Sequence, residues 1–325
     1  MSTFARAATI DVMDNIGVFL PTGQDQWAAH DPRDLIGFAR RSEELGFSSL
    51  FVNDSLLSPR IEPLTMLAAI APVTERIRLG TGALLPVLRR PVLAAQTLAS
   101  VDQLSGGRLT VTVGAGFPGR FGRPLHELSQ VPWERRFARL DETVALWRAL
   151  WSGAKEFHGE FHSFAELPPA TRPFHEQGPP VWLGGGTPAA LARIGRHYDG
   201  WLPYPPDPAD YATGLDTVRS AARGAGRSPE AVTPALFVNV RIDRSAEDAR
   251  RVMDAYTRAN YGLPLAGTEQ IQAFAVGTPD EVAAKLARYT SAGARHLVAR
   301  LGALELSDQR EQLERLAALT LPSSP

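Results

Sequence analysis

The chain contains no cysteine, which excludes disulfide bonds, a catalytic thiolate, iron–sulfur clusters and zinc–cysteine sites. Lysine is almost as scarce, since Lys155 and Lys285 are the only two. Both fall in predicted helical or hairpin segments rather than at strand ends, which disfavours an aldolase-like or phosphosugar barrel enzyme built around a Schiff-base lysine.

An excess of charge and a long apolar run are also missing. The formal net charge is -1, which gives no electrostatic case for general binding to nucleic acid or to an anionic membrane. No apolar stretch reaches the roughly 20 residues that span a membrane, and the N-terminus lacks the pattern of a secretory signal. We therefore expect a cytoplasmic protein that binds neither nucleic acid nor a membrane.

The 325 residues, of which 44% are hydrophobic, are enough for two domains or for one α/β barrel. Short apolar runs alternate with helical patterns along the sequence. The eight predicted strands lie near Ile16–Leu20, Leu50–Val52, Ile77–Leu85, Leu109–Val113, Val181–Leu183, Trp201–Leu202, Leu236–Ile242 and His296–Leu301. Their apolar character indicates a parallel barrel or a long doubly wound sheet.

We favour the barrel, and predict an α/β protein in which residues 1–325 form one (β/α)8 TIM-barrel domain. A hairpin is predicted from Phe157 to Phe164, which makes a helical metal site at His158 and His162 improbable, and no metal is expected. The stretch between strands seven and eight, with its Gly262–Gly267 loop, is predicted as an insertion over the barrel mouth.

A glycine-rich turn follows the fifth predicted strand. Gly184, Gly185 and Gly186 allow backbone N–H groups to approach a phosphate, Thr187 can cap the next helix, and Pro188 suits its first turn. The helix dipole adds roughly 0.3–1 kcal/mol for a negative group. The alternative interpretation is a tight connection that binds nothing.

Ligands of TIM barrels bind at the carboxyl ends of the strands, where this sequence places several polar side chains. Asp54 ends strand two, either as a cap of the next turn or as a catalytic or ligand-contacting residue. Asn239 and Arg241 alternate with apolar neighbours on strand seven and are predicted to face the lumen, where Arg241 could orient an anionic or carbonyl group. The alternative for Arg241 is a buried pair with a carboxylate. Arg300 also falls at a strand end.

A second glycine segment follows strand four, in the order Gly114-Ala115-Gly116-Phe117-Pro118-Gly119. It matches the dinucleotide fingerprint formally, but Pro118 prevents the immediate helix which that motif needs. Gly114 and Gly116 are instead predicted to let a flat ring lie against the backbone. The alternative is an ordinary loop.

Several segments in this order resemble the bacterial luciferase-like superfamily, whose members bind a flavin or a deazaflavin coenzyme in a TIM barrel. The resemblance covers nearly the whole chain. It rests on Ile16–Pro21, Leu45–Asp54, Glu75–Gly82, Pro91–Gly116 and Pro180–Pro203, including Leu104-Ser105-Gly106-Gly107-Arg108-Leu109 and Asp199-Gly200-Trp201.

The resemblance implies that strand three holds the edge of the cofactor ring, often beside a cis peptide, and that the glycine turn receives the phosphate. Relatives often carry histidine after the strand-two aspartate, where this chain has Ser55. The catalytic candidates are Asp54, Asn239 and Arg241. The predicted cofactor-binding residues are Asn53, Thr81, Gly82, Ala83, Gly114, Gly116, Gly184, Gly185, Gly186, Thr187 and Trp201.

The expected function is a flavin-dependent oxidoreductase, a luciferase-like monooxygenase that uses reduced FMN on a small organic substrate. One alternative is hydride transfer with the deazaflavin coenzyme F420, and another is a flavin-binding protein without turnover. The expected partners are the small-molecule substrate, a separate flavin reductase and a second copy of the chain in a homodimer.

Overall fold

The computed structural model describes residues 15–27, 29–57, 59–116 and 122–321. Its strands are β1 (Asn15–Phe19), β2 (Ser49–Val52), β3 (Arg78–Leu84), β4 (Leu109–Val113), β5 (Phe157–His158), β6 (Ser163–Phe164), β7 (Val181–Leu183), β8 (Gly200–Trp201), β9 (Thr233–Ile242), β10 (Phe274–Gly277) and β11 (His296–Leu301). Eight of them pair in parallel in the order β1-β2-β3-β4-β7-β8-β9-β11, and β11 returns to β1. The predicted (β/α)8 barrel is confirmed. The short strands β5 and β6 form the predicted hairpin.

Helices surround the barrel and connect its strands. They are α1 (Gln24–Trp27), α2 (Asp34–Glu44), α3 (Pro63–Ile70), α4 (Pro91–Leu104), α5 (Arg123–Leu128), α6 (Arg136–Trp151), α7 (Pro188–His197), α8 (Pro208–Gly224), α9 (Ala246–Tyr261), α10 (Leu265–Thr268), α11 (Pro279–Ser291) and α12 (Leu306–Thr320). Proline begins α3, α4, α7, α8 and α11, where the N–H that it lacks would have no partner within the helix. Proline thus marks the helix starts without interrupting the helices.

The chain between β9 and β11 contributes α9, α10 and β10 before it reaches α11. Strand β10 pairs with the last four residues of β9, beyond the point where β8 pairs with its start. Phe274 packs with Met253 and Tyr256 of α9 and with Leu265. This packing attaches the segment that we predict as an insertion to the carboxyl end of β9.

Aromatic side chains fill the barrel lumen. Phe19, Phe51 and Trp182 belong to one buried cluster, with ring centroids 5.9 Å apart for Phe19 and Phe51 and 6.0 Å apart for Phe51 and Trp182. A Cβ atom at Gly80 would lie 2.5 Å from the ring of Phe51, so glycine is required on β3 where that ring fills the lumen. The cluster closes the barrel interior and forms a floor beneath the strand ends.

His296 lies deeper in the lumen, where its Nε2 is 2.7 Å from the hydroxyl of Ser49. Burial, with a smaller contribution from the charge of Arg78, lowers the pKa of His296 to about 4. The unfolded chain therefore binds a proton at this histidine between about pH 6.5 and pH 4, while the folded chain does not. The contribution of His296 to stability is present near neutral pH and is lost as the pH falls through that range.

We expect His296 to account for a loss of about 2 kcal/mol in the free energy of unfolding between pH 7 and pH 5. Urea denaturation of the wild type and of His296→Gln at both pH values measures this contribution as the difference between their pH dependences. Identical pH dependence in the two proteins would contradict the buried neutral imidazole.

Candidate active site

The carboxyl ends of the barrel strands, from Leu20 after β1 to Leu301 in β11, form what we call the barrel mouth. Phe19 and Phe237 meet edge to face at its floor, with ring centroids 5.3 Å apart. Tyr204 packs against the edge of Phe237 from the segment that follows β8. The mouth therefore has an apolar aromatic base on which a flat organic molecule can lie.

Strand β3 contributes an irregular edge to this mouth. The peptide bond between Gly82 and Ala83 is cis, as the family resemblance implies, and the register with β4 shifts between Thr81 and Leu84. A Cβ atom at Gly82 would lie 2.6 Å from the ring of Phe19, so this backbone rests directly on the aromatic floor. Gly82 and Ala83 thus present bare backbone to the mouth.

Thr81 differs from its two neighbours because it is fully buried and its hydroxyl donates to the carbonyl of Thr112 at 2.9 Å. Its side chain is used within the sheet, and only its backbone remains for the predicted cofactor contact. Gly114 lies beside the irregular edge, since its amide donates to Leu84 and a Cβ there would lie 3.4 Å from the Cβ of Ala83. The structure therefore brings together the glycine of β4 and the ring-edge segment of β3.

Gly116 occupies a tight position with a φ of +91°. A Cβ atom there would lie 3.3 Å from the indole of Trp133, so a side chain would be strained and crowded. The next residues of the same glycine segment, including Phe117 and Pro118, lie outside the described residues. The role of Gly116 beside a cofactor stays a prediction.

The turn after β7 has the features of an anion site. Gly185 has a φ of +108°, and Thr187 caps α7 by accepting the amide of Ala190 at 3.3 Å. Within the described residues the backbone amides of Gly185, Gly186 and Thr187 donate to no protein acceptor. These amides and the start of the ten-residue helix α7 can therefore satisfy a negatively charged group.

Trp201 supports this turn from below. Its indole N–H donates to the carbonyl of Gly185 at 2.8 Å, and its ring stacks on Tyr211 with a centroid distance of 4.9 Å. A cavity of about 520 Å³ borders the turn, between α7 and α8, and is lined by residues that include Gly186 and Tyr204. Trp201 lines this cavity although it is only 1% exposed, and its contact with a cofactor stays a prediction.

The two polar residues after β2 differ in how their side chains are used. The carboxylate of Asp54 is 4% exposed, accepts from Arg89 at 2.5 Å and accepts from the amide of Leu85 at 2.9 Å. Asn53 is half-buried and accepts from the hydroxyl of Thr22 at 3.3 Å. Asp54 thus ties the end of β2 to the residue that follows β3, and its role as a catalytic or ligand-contacting residue stays a prediction.

The two candidates on β9, which is the predicted strand seven, also contact other polar groups. Asn239 is fully buried, and its amide nitrogen donates to the Oε1 of Gln272 at 3.1 Å. Arg241 donates to Asp243 at 2.8 Å and to Asp308 at 2.6 Å. The structure therefore supports the buried pair with a carboxylate for Arg241, because two negative charges already compensate its guanidinium.

Sequence reasoning placed Arg300 at a strand end without giving it a role. The guanidinium carbon of Arg300 lies 5.1 Å from the ring centroid of Phe19 and 5.4 Å from that of Phe237, at the floor of the mouth. The alternation of His296, Val298 and Arg300 along β11 is the signal that predicts this inward direction. Arg300 is thus the basic side chain that reaches the aromatic floor.

The sequence predicts that no apolar stretch is long enough to span a membrane. In the ranges that the structure describes, no helix has both the length and the apolar character needed to cross a membrane.

The fold and the site together define an α/β barrel with an aromatic-floored mouth and a glycine turn at its rim whose backbone amides donate to no described acceptor. The chain belongs to the luciferase-like monooxygenase family, whose model matches residues 13–296. The resemblance seen in the sequence is confirmed, as is the prediction of a flavin-linked oxidoreductase enzyme.

Two curated relatives and one solved structure are informative. The chain is 30% identical over 300 residues to the F420-dependent glucose-6-phosphate dehydrogenase of Amycolatopsis mediterranei, an alignment that covers 82% of this chain and 88% of that protein. It is 32% identical over 219 residues to the phthiodiolone/phenolphthiodiolone dimycocerosates ketoreductase of Mycobacterium bovis, covering 66% of this chain and only 56% of the relative. Monooxygenase RslO1 from Streptomyces bottropensis superposes with a TM-score of 0.79 at 25% identity, covering 95% of this chain and 99% of that one.

Proposed function

We propose that this protein is a deazaflavin-dependent oxidoreductase that transfers a hydride between coenzyme F420 and a small organic carbonyl or alcohol. The observation that carries the proposal is the set of three unpaired backbone amides at Gly185, Gly186 and Thr187, on the same mouth as the bare backbone of Gly82 and Ala83. One surface suits a phosphate, and the other suits the edge of a flat ring.

The residues present fit such a cofactor in named places. The amides of the glycine turn would hold the phosphate, with Trp201 fixing the carbonyl of Gly185. Gly82, Ala83 and Gly114 would face the ring with no side chain larger than a methyl group. When bound, the deazaflavin supplies the hydride acceptor or donor.

The remaining roles belong to the scaffold. Asp54 would hold the segment after β3 in place through the amide of Leu85. The aromatic floor at Phe19 and Phe237 would exclude water from beneath the reacting molecules. The barrel thus provides orientation and a dry surface, while Asn53, Asn239 and Arg241 stay predictions as contact or catalytic residues.

The relatives support hydride transfer in preference to oxygenation. The two curated relatives are named a dehydrogenase and a ketoreductase, and both names describe hydrogen transfer at an oxygen-bearing carbon. This reverses the slight preference for FMN that the sequence alone gives. Monooxygenation with reduced FMN is the second candidate, because RslO1 is a monooxygenase with the same fold over 95% of this chain.

We further propose a single domain over residues 1–325, a cytoplasmic location and a homodimer. A separate flavin reductase would be needed only under the FMN alternative, since that reaction consumes reduced flavin. Gel filtration tests the homodimer, and the dependence of activity on an added reductase tests the need for that partner.

Titration of the purified protein with the deazaflavin coenzyme, FMN and reduced FMN tests the proposed function. We expect deazaflavin binding at micromolar concentration and neither flavin form below about millimolar, a gap of roughly 4 kcal/mol. Tighter binding of reduced FMN would favour the monooxygenase, and binding of none of the three would refute both. Binding without turnover over a panel of alcohols and ketones would leave the non-catalytic alternative.

A further inference from the structure

Arg300 is held at the mouth by contacts that leave most of its hydrogen-bonding capacity unused. It lies over the rings of Phe19 and Phe237, and its Nη1 donates to the hydroxyl of Tyr261 at 3.2 Å. A guanidinium has five N–H donors. Over the described ranges this is the single hydrogen bond that Arg300 makes.

The charge of Arg300 is also uncompensated, in contrast to other arginines near strand ends. Arg89 pairs with Asp54 and Glu62, and Arg241 pairs with Asp243 and Asp308. Arg300 has no carboxylate within 4.0 Å among the residues that the structure describes. A largely buried cation without a counter-charge is costly, so an anionic ligand would be strongly favoured there.

A second cation adds to the same field. Arg60 lies close enough to Arg300 for the two charges to repel each other, and burial together with that repulsion lowers the pKa of Arg60 to about 10. Asp54 partly offsets this charge from the side of β2. The two guanidinium groups therefore raise the positive potential of the mouth on the side of β11.

The position of Arg300 relative to β3 suggests what its ligand is. The edge of the Phe19 ring lies against Gly82, and the guanidinium of Arg300 lies over the same ring. A molecule bound beside Phe19 would thus be near both the ring-edge segment of β3 and a guanidinium. The planar fork of arginine matches a carboxylate through two parallel hydrogen bonds.

We propose that Arg300 binds the carboxylate of the substrate, so that the enzyme acts on a small organic acid whose reacting carbon points towards β3. This inference rests on the proposed function for the location of the reacting carbon, but the anion site itself depends only on Arg300 and its surroundings. The residue binds one end of the substrate and transfers no proton.

Benzoate is a suitable probe, with benzamide as its uncharged isostere and phenyl phosphate as a different anion. We expect calorimetric titration of the protein, with oxidised deazaflavin bound, to show binding of benzoate at least about tenfold tighter than benzamide. Arg300→Met should lose at least about tenfold in benzoate affinity and leave benzamide unchanged. Arg300→Lys should retain part of the preference because it keeps the charge, and Arg251→Met, which removes an exposed arginine of α9, should behave as the wild type.

Parallel titration of the deazaflavin separates this inference from the proposed function. Unchanged cofactor affinity in Arg300→Met, together with lost benzoate binding, supports the anion site. Equal benzoate affinity in the wild type and Arg300→Met, or binding of phenyl phosphate but not of benzoate, would overturn it.

If no cofactor binds, the proposed function fails, and the benzoate titration of the cofactor-free protein still tests Arg300. If Arg300→Met does not fold, the preference of the wild type for benzoate over benzamide and its retention in Arg300→Lys decide the matter.

Discussion

Replacing Gly186 with aspartate is expected to weaken binding of the phosphate-bearing cofactor at least about a hundredfold, equivalent to about 2.7 kcal/mol. Gly186 is exposed, and a Cβ atom there would meet no atom within 4 Å, so the folded chain has room for the new side chain. The added carboxylate would lie among the unpaired amides at the start of α7 and compete with a phosphate for them. Fluorescence titration with the deazaflavin measures the loss.

The glycine turn offers matched controls for this prediction. Gly186→Asn adds nearly the same volume without the charge, and Gly186→Ala adds only a methyl group, so both should bind within a few-fold of the wild type. Gly185→Asp is a poorer test because that glycine has a φ of +108° and its Cβ would lie 3.3 Å from Ala190. Undiminished affinity in a folded Gly186→Asp variant would remove the turn from the phosphate site.

The architecture was predictable from the sequence because its signals are local. Apolar strand runs, proline at helix starts and glycine at turns each act within a few residues, and together they indicate a barrel. The start of β9 was harder to predict. Pro234 and Ala235 carry little strand signal and separate Thr233 from the apolar run, yet all three residues pair with β8 or β11, so the strand begins three residues before the predicted Leu236.

In the candidate site, too, features with local sequence signals were predictable, whereas features that depend on distant partners were not. The glycine turn and the cis peptide at Gly82 follow from local chemistry or from the family resemblance, and the structure displays both as expected. Asp54 could not be judged from its neighbours, because its partner Arg89 lies 35 residues away. Arg241 has a local partner in Asp243, but its second partner, Asp308, lies 67 residues away. Only the folded chain shows that these charges are already paired while that of Arg300 is not.

Removing the partner of a buried charge should have the largest effect on stability. We expect Arg89→Met to lower the free energy of unfolding by about 3 kcal/mol, because it leaves the carboxylate of Asp54 buried with, among the described residues, only the amide of Leu85 as donor. Urea denaturation measures this loss. Arg90→Met is a matched control, because Arg90 is adjacent in sequence, exposed and forms no ion pair within the described residues. This substitution should change the free energy of unfolding by less than about 0.5 kcal/mol.

The double variant Asp54→Asn with Arg89→Met shows what the carboxylate does. An amide needs no counter-charge, so the double variant should be more stable than Arg89→Met alone, with a coupling of at least about 1 kcal/mol between the two sites. If Asp54 serves only to hold Leu85 after β3, Asp54→Asn should also keep most of the cofactor affinity and turnover, because the amide oxygen can still accept from that backbone N–H. If a stable Asp54→Asn variant binds cofactor normally but has lost turnover, the negative charge of Asp54 is needed for catalysis, and its role is not only to hold Leu85 in place.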